Sequence, residues 1–337
     1  MPNSPAPLVS VERGEVEEAI HLGHLAVVDA DDQIRVSLGD PHHLTYFRSC
    51  SKPLQALGSL RAGIVSRFRL GSEHLAVMCA SHNAEPKHLE VVRDLLSRAG
   101  IPESALQCGP HWPLYEPAAA IARRELDEPL VIFNNCSGKH AGMLAGAVAL
   151  GAPLETYLDL AHPVQQRISG VIADFTRCAP AEIRYGIDGC SAPNPAVPLS
   201  AMARSFAALV TASETSSQSI VEAMTRNPYL VGGTGRLDTA LMEVTQGRLL
   251  SKGGAAGAHC VGDRRSGLAL AIKFDSGDGT WIGVAVIAAM ERLDWLEGEE
   301  QQALANLAHP ILLNRRKLAV GTVEPVLEEL PQTLARH

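Results

Sequence analysis

A serine and a lysine three residues apart, at the start of a predicted helix, are the pair in this sequence best suited to nucleophilic chemistry. Ser49 and Lys52 are one helical turn apart, so their side chains project from the same face. Pro53 suits the first turn of a helix, and apolar residues then repeat at helical spacing over residues 54–64. A buried lysine can take the proton of a serine hydroxyl. The pair therefore predicts a nucleophile beside its base.

The same pattern has a purely structural interpretation, because a serine at a helix start often only caps the helix by accepting a backbone N–H. The lysine content favours chemistry. The chain has six lysines against 23 arginines, and Lys52 is the one lysine with serine three positions before it. Arginine cannot give up its proton, so a lysine kept among arginines indicates a position that needs an amine.

Composition and charge favour a globular protein that acts on a small molecule. The 337 residues are enough for two domains, and 46% of them are hydrophobic. A net charge of -8 argues against nucleic acid or an anionic membrane as the partner. No apolar run is long enough to span a bilayer, no signal-peptide pattern is present, and seven cysteines do not suggest a disulfide framework. We therefore expect a cytoplasmic protein.

The elements that must position Ser49 and Lys52 come from both ends of the chain. Residues 22–28 and 34–38 predict two strands joined by an acidic turn, and helical patterns dominate residues 52–210. Further strands are predicted at residues 248–251, 268–274 and 281–287, the last two joined by a turn that suits an antiparallel hairpin.

This order of elements predicts an α/β fold of the α+β kind. One antiparallel sheet with flanking helices would be formed by residues 1–48 and 211–337, and a mainly helical region, residues 49–210, would be inserted into it. The insert would carry Ser49 and the polar turns that follow it.

Three short motifs occur along the chain in an order that is typical of one enzyme class. Ser49 and Lys52 form Ser-x-x-Lys, Ser81 opens Ser-x-Asn, and Lys252 is followed by two glycines. This order is that of serine β-lactamases and penicillin-binding proteins. A second serine and lysine arriving from other segments could relay a proton or bind a carboxylate.

Five longer runs carry a closer resemblance. They are RSCSKP (48–53), CASHN (79–83), NNCSGKHAGML (134–144), GIDGC (186–190) and PYLVGG (228–233). These runs resemble the Rhizobium etli type L-asparaginases, and the resemblance covers about residues 10 to 330. It implies hydrolysis of L-asparagine to L-aspartate and ammonia, on a fold related to serine β-lactamases and glutaminases, by a homodimer.

The resemblance also implies roles for individual residues. The family's two Ser-Lys tandems fall on Ser49 with Lys52 and on Ser81 with Lys252, and Ser49 would be the nucleophile. The remaining positions are a zinc site at Cys136, Lys139 and Cys190, and the substrate-proximal residues Arg48, His140 and Asp188.

The zinc site has its own structural alternative, because most intracellular cysteines are buried thiols that bind nothing. Cys136 and Cys190 both precede serine in polar loops, where a thiolate ligand is more expected than a hydrophobic filler. Lys139 would have to lose its proton to bind a metal. We expect one zinc ion per chain, which organises the site rather than acting directly on the substrate.

Two other functions stay open. A glutaminase or β-lactam hydrolase of the same architecture would keep both tandems, because one methylene changes binding in a hydrophobic pocket by only about 1–3 kcal/mol. A non-catalytic, zinc-containing protein that binds an amino acid would release no ammonia. The loop GGTG at residues 232–235 could also cradle a phosphate, but no lysine follows it, so a loop near the active site is the better interpretation.

Overall fold

A computed structural model describes residues 4–327 and 330, which fall into two compact units. The sheet unit comprises the residues up to Cys50, Val197–Thr211 and the residues from Val244 onward. The helical unit comprises Ser51–Ala196 and Ala212–Glu243.

Strands and helices occur in groups along the described chain. The strands are β1 (Ala6–Arg13), β2 (Val16–Val28), β3 (Ile34–Leu38), β4 (Leu44–Tyr46), β5 (Arg184–Ile187), β6 (Pro193–Pro198), β7 (Leu249–Gly254), β8 (Ala258–Asp263), β9 (Ala269–Phe274), β10 (Ile311–Leu313) and β11 (Ala319–Pro325). The helices are α1 (Lys52–Leu60), α2 (Ile64–Phe68), α3 (Ser72–Met78), α4 (Pro86–Arg98), α5 (Glu116–Glu125), α6 (Ser137–Leu150), α7 (Pro163–Thr176), α8 (Leu199–Thr211), α9 (Thr215–Arg226), α10 (Pro228–Val231), α11 (Leu237–Val244), α12 (Ile282–Arg292) and α13 (Gly298–Ala308).

The sheet unit is built on one antiparallel sheet. Its strand order is β10-β11-β1-β2-β9-β8-β7, and β3 also pairs with β2. Helices α8 and α12 both pack on it. Strand β8 is buried at every residue because the sheet is covered on both faces there. The α/β fold with an antiparallel sheet from both chain ends is thereby confirmed.

The prediction of a strand at residues 281–287 was wrong. This stretch is the first part of α12, and residues 275–279 lead into that helix instead of closing a hairpin. The stretch is apolar at nearly every position, so it lacks the alternation of a half-buried strand. A helix that is buried on almost all sides has the same continuous apolar sequence. Strand β9 pairs with β2 and with β8, and the sequence analysis did not predict β8.

Glycines allow the helices of the helical unit to pack closely. Helix α1 is buried at all nine residues and lies against α6 and α7. A Cβ at Gly58 would lie 2.7 Å from the side chain of Ile168, and one at Gly138 would lie 2.2 Å from the carbonyl oxygen of Val77. Glycine is therefore what lets these backbones approach. Strands β5 and β6 form an antiparallel hairpin, and its paired residues, 184–187 and 193–196, belong to the same unit.

The structure divides the chain at different residues from the predicted 1–48, 49–210 and 211–337. Helix α8 belongs to the sheet unit because it packs on β2, β8 and β9. Residues 212–243 belong to the helical unit because α9 packs on α1 and α3. Ser49 belongs to the sheet unit, whose first segment ends one residue later, at Cys50. Among the described residues no helix is long and apolar enough to cross a membrane.

Candidate active site

Ser49 lies in a 3-10 helix, Arg48–Ser51, that runs directly into α1. Lys52 is the first residue of α1, so one turn of continuous chain separates it from Ser49. Arg48 adopts a left-handed conformation with φ of +51°, which is uncommon for a residue other than glycine and marks a constrained turn. The tandem of Ser49 and Lys52 stays a prediction, and its two members are one turn apart along the chain.

Strand β7 holds this turn in the sheet unit. The Cys50 thiol donates to the carbonyl oxygen of Lys252 over 3.1 Å. A Cβ at Gly254 would lie 3.1 Å from both Cys50 Sγ and the carbonyl oxygen of Phe47. Lys252 itself is fully buried, and its ammonium donates to the carbonyl oxygen of Gly253 over 2.8 Å. The backbone segments that carry Ser49 and Lys252 are thus packed together.

In the helical unit, Lys52 meets Ser81. Lys52 Nζ donates to Ser81 Oγ over 2.9 Å and to the carbonyl oxygen of Ala80 over 2.5 Å. The carbonyl oxygen of Asn135 lies 3.5 Å away, and both Lys52 and Ser81 are buried. The first lysine and the second serine of the two predicted tandems are therefore hydrogen-bonded partners.

The three predicted metal ligands also come together in the helical unit. Cys136 caps the N-terminus of α6, Lys139 lies one turn further on, and Cys190 lies in the turn after β5. Lys139 Nζ donates to Cys190 Sγ over 2.9 Å, and the two thiols share a hydrogen bond. All three side chains are buried.

The charges in this cluster favour one thiolate. The hydrogen bond from Cys190, together with the nearby ammonium groups of Lys52 and Lys139, holds the pKa of Cys136 well below its usual range, although burial opposes the shift. The same bond and burial raise the pKa of Cys190. Burial would lower the pKa of Lys139, but the charges of the two cysteines outweigh it and raise that pKa.

Two sulfur atoms and an amine in one buried cluster fit a zinc ion. Thiolates are the ligands that zinc prefers, and a cluster that already keeps one thiolate next to a second thiol requires little rearrangement. Because the Lys139 pKa is raised, the amine would have to release a proton before it could bind the metal.

His140 presents a buried nitrogen that no described residue satisfies. The side chain is fully buried, and its Nδ1 lies 2.6 Å from the hydroxyl of Tyr157. That hydroxyl accepts from the backbone N–H of Gln107, so its own proton is directed at Nδ1. Nε2 then carries the ring proton and has no acceptor. Burial, followed by the charges of Lys139 and Lys52, holds the His140 pKa well below its usual value, so the ring is a neutral donor.

The other two substrate-proximal candidates lie on turns. Asp188 is half-buried at the end of the β5 strand, and its Oδ1 accepts from the N–H of Gly189 over 2.9 Å. Its charge acts on Lys139. Arg48 lies in the sheet unit and Asp188 in the helical unit.

Backbone hydrogen bonds hold the turn that carries Ser81, and the sequence analysis missed them. The N–H groups of Ser81 and Asn83 donate to the carbonyl oxygens of Val231 and Gly232, each over 3.0 Å, and the N–H of His82 donates to Asn135 over 3.2 Å. The turn is therefore fixed between the end of α10 and the start of α6.

Two histidines missed by the sequence analysis support the same turn. His82 Nδ1 accepts from the N–H of Ala84, so its Nε2–H donates to Ser137 Oγ over 2.9 Å. His111 Nε2 accepts from the N–H of Asn135 over 3.0 Å. The only signal in the sequence for these two residues was the large number of histidines, 13 in a chain that is 4% aromatic. Which histidines face the site depends on long-range packing.

A second group of ligand-type side chains lies in the sheet unit. The candidate ligand atoms of His24, His43 and Asp275 lie within 4.8 Å of one another. However, the two imidazole rings are stacked, with their centroids 4.3 Å apart. The nitrogen lone pairs of stacked rings run nearly parallel, so they do not point at one common metal position. His24 Nδ1 also accepts from the N–H of Asp40 over 2.9 Å, which leaves the proton on Nε2. This geometry does not suit a metal ion.

Comparisons with solved structures find only weak similarity among the matches described next. A beta-lactamase from Mycobacterium bovis is 15% identical with a TM-score of 0.40, over 85% of this chain and 95% of that chain. A candidate beta-lactamase from Bacteroides dorei is 13% identical with a TM-score of 0.41, over 79% of this chain and 92% of that chain. Similarity this low carries no argument about function. No curated protein matches the chain.

A family model gives the clearer result. The model for L-asparaginase II matches residues 9–325 of the 337. The match begins within β1 and ends with the last residue of β11, so it includes both units and every candidate site residue. The chain belongs to the L-asparaginase II family.

Proposed function

We propose that this asparaginase works through a covalent acyl-enzyme formed on Ser49. The Ser49 oxygen would bond to the side-chain amide carbon of L-asparagine while its proton passes to Lys52. The C–N bond would then break, and ammonia would leave with a proton returned from the enzyme. Water would hydrolyse the resulting β-aspartyl ester and release L-aspartate and free Ser49.

The observation that carries the proposal is the buried hydrogen bond of 2.9 Å between Lys52 Nζ and Ser81 Oγ, one turn along the chain from Ser49. The amine of Lys52 lies within hydrogen-bond distance of Ser81 Oγ and of the carbonyl oxygens of Ala80 and Asn135. Neutral Lys52 would take the proton of Ser49 as the bond from Ser49 to the amide carbon forms. It would return that proton through Ser81, whose own hydroxyl proton passes to the leaving nitrogen as the C–N bond breaks. Ser81 is therefore proposed as the carrier of the proton toward the leaving ammonia.

The second tandem, Ser81 with Lys252, stays a prediction from the sequence. The two residues belong to different units. Two roles follow for Lys252: it either completes the proton path or binds the α-carboxylate of the substrate. The kinetics distinguish them, because loss of a proton path lowers kcat, whereas loss of a binding charge raises KM.

Substrate contacts are proposed for His140, Asp188 and Arg48. The unsatisfied Nε2–H of His140 suits an oxygen of the substrate. The carboxylate of Asp188 suits the α-ammonium group, and the guanidinium of Arg48 suits the α-carboxylate.

Zinc is proposed to be held by Cys136, Lys139 and Cys190. When bound by two thiolates, zinc is a weak Lewis acid, so it supplies a fixed geometry rather than an activated water. The ligands lie on α6 and on the turn after β5, and Asp188 and His140 are their neighbours in the chain. Cys136 also contacts Lys52, so the cluster would fix the position of the proposed base.

The direct test is Ser49→Ala. We expect no ammonia release from L-asparagine above background, with unchanged circular dichroism and Tm, because a serine on a turn is replaced by a smaller side chain. Ser66→Ala is the matched control, since Ser66 is an exposed serine on α2, and it should keep the wild-type rate. A Ser49→Ala enzyme with a near wild-type rate would contradict the proposal.

The alternatives are separated in the same assay. Ammonia release from L-asparagine and L-glutamine and hydrolysis of a chromogenic β-lactam should be measured side by side. Mass spectrometry of acid-quenched enzyme should find the acyl adduct on the peptide that contains Ser49. Saturable binding of asparagine without ammonia would favour the amino-acid-binding alternative.

The homodimer and the cytoplasmic location are proposed on the resemblance and the composition. Light scattering coupled to size exclusion tests the first. All seven cysteines are free, as expected for a reducing compartment.

A further inference from the structure

The GGTG loop folds around a carboxylate of the chain itself. Thr234 donates to Glu85 with its backbone N–H over 2.8 Å and with its hydroxyl over 2.7 Å. The Tyr229 hydroxyl forms a third hydrogen bond with Glu85. The donors that could have held a phosphate are therefore occupied by Glu85, and the loop serves an internal anion.

Glu85 also binds the turn that carries Ser81. Asn83 Nδ2 donates to Glu85 Oε1 over 3.1 Å and to the carbonyl oxygen of Thr234 over 3.0 Å. The backbone N–H groups of Ser81 and Asn83 donate to the same loop segment, at Val231 and Gly232. One carboxylate thus joins the loop to the turn two residues away from Ser81.

Gly233 shows how closely the two segments are packed. It has φ of +113°, and a Cβ there would lie 2.5 Å from Glu85 Oε1 and 2.6 Å from Asn83 Nδ2. Only glycine leaves room for the carboxylate between the loop and the turn.

Helix α4 fixes the carboxylate from the other side. Glu85 is its N-cap residue, and the Glu85 N–H donates to His88 Nδ1 over 3.1 Å. Nε2–H of His88 therefore donates to the carbonyl oxygen of Tyr229, over 2.9 Å. The His88 ring stacks on those of His82 and Tyr229.

The carboxylate is buried but stays ionised. Glu85 is only 6% exposed. Burial would raise its pKa, but the hydrogen bonds from Thr234, Asn83 and Tyr229 outweigh this and hold the pKa below its usual value. An ionised carboxylate that accepts several donors gives stronger and shorter bonds than a neutral acceptor.

We propose that Glu85 is a positioning residue for Ser81: its carboxylate clamps residues 229–235 against the turn 81–83, and so keeps Ser81 Oγ within hydrogen-bond distance of Lys52 Nζ. The inference rests on the proposed role of Ser81 as the proton carrier. Glu85 acts through the turn and does not itself exchange a proton with the substrate.

The kinetic test uses variants that weaken the clamp by steps. Glu85→Ala removes all of its bonds, Glu85→Gln replaces one acceptor oxygen with a donor that faces other donors, and Thr234→Val removes one hydroxyl. We expect kcat for asparagine to fall about 10- to 100-fold in Glu85→Ala, less in Glu85→Gln and least in Thr234→Val, with KM changing less than kcat. Glu90→Gln, an exposed glutamate on the same helix, is the control and should match the wild type.

A double-mutant cycle separates positioning from general destabilisation. If Glu85 acts through Ser81, adding Glu85→Ala to Ser81→Ala should lower kcat no further. If Glu85 only supports the fold, the two losses should multiply, and this outcome would overturn the proposal. Rescue of kcat by Glu85→Asp to above the Glu85→Gln value would support it.

Hydrogen–deuterium exchange gives a readout that does not depend on the reaction. Amides of residues 81–83 and 229–235 should exchange faster in Glu85→Ala and Thr234→Val than in Glu90→Gln at the same temperature. Faster exchange in an enzyme that never forms an adduct on Ser49 would uphold the clamp and reject the proposed function. Unchanged exchange in both variants, or faster exchange with an unchanged kcat in an active enzyme, would reject the role of Glu85.

Discussion

The two units hold their reactive residues by different means. In the sheet unit, Ser49 and Lys252 are placed by main chain: Lys252 pairs with Cys260 in the register of β7 and β8, and its carbonyl receives the Cys50 thiol. In the helical unit, buried side-chain hydrogen bonds, from Lys52 to Ser81 and from the Ser81 turn to Glu85, add to the main-chain bonds. Main-chain placement tolerates changes of side chain, whereas a buried polar network does not, because each lost partner leaves another group unsatisfied.

Replacing one lysine by methionine in each unit is the strongest test of this difference between the units. Lys52→Met should abolish turnover and also lower stability by about 1–3 kcal/mol, because Ala80 and Ser81 lose their donor. Lys252→Met should lower kcat by about 100-fold or more with a smaller loss of stability, because the main-chain pairing of β7 with β8 that places Lys252 survives the substitution.

Denaturant unfolding and steady-state kinetics measure both effects. Lys317→Met, in a turn far along the sequence, controls for the loss of a positive charge. Equal stability losses at Lys52 and Lys252 would contradict the distinction between the two units.

The metal cluster should give the next largest effect. Cys136→Ser or Cys190→Ser should reduce zinc from about one per chain to near zero, and should raise KM or lower Tm more than they lower kcat. Elemental analysis, thermal unfolding and kinetics measure the three quantities. Cys178→Ser, at a half-buried thiol of the same unit, is the matched control.

If metal-free enzyme loses kcat as completely as Ser49→Ala and recovers it with zinc, an organising role is wrong. If no metal is found and both variants behave as the wild type, the two thiols are structural.

The smallest effect should come from a surface ion pair in the helical unit. The hydrogen bond from Arg61, followed by that from Ser216, lowers the pKa of Glu214 from 4.5 to about 2. A lowered pKa in the folded state means that the stabilisation is fully present above about pH 4.5, declines as the pH falls and is lost below about 2.

Glu214→Gln should therefore cost about 1 kcal/mol or less at pH 7, since both side chains are partly exposed, and its stability should approach that of the wild type as the pH falls toward 2. Urea unfolding across this range measures it, with Glu222→Gln on the same helix as control. A constant difference at all pH values would mean that the ion pair is not the cause.

Local sequence patterns predicted secondary structure correctly where a pattern is compatible with only one type of element. The hydrophobic periodicity of α1 and the acidic turn before β3 predicted those elements, and both are present. The pattern failed at α12, where a run of apolar residues fits a strand and a fully buried helix equally well. Only the packing of that stretch against β8, β9 and β11 decides between them.

The sequence by itself determined the identities of the reactive groups and their spacing: a serine one turn before a lysine, two cysteines and a lysine in polar loops, and the motifs that resemble asparaginases. The tertiary structure decided which groups meet. Lys52 pairs with Ser81 across 29 positions and Glu85 with Thr234 across 149, and no short-range rule links such residues. Such contacts depend on how helices pack and loops close, so the free energy that selects them is spread over the whole core and is absent from any local pattern.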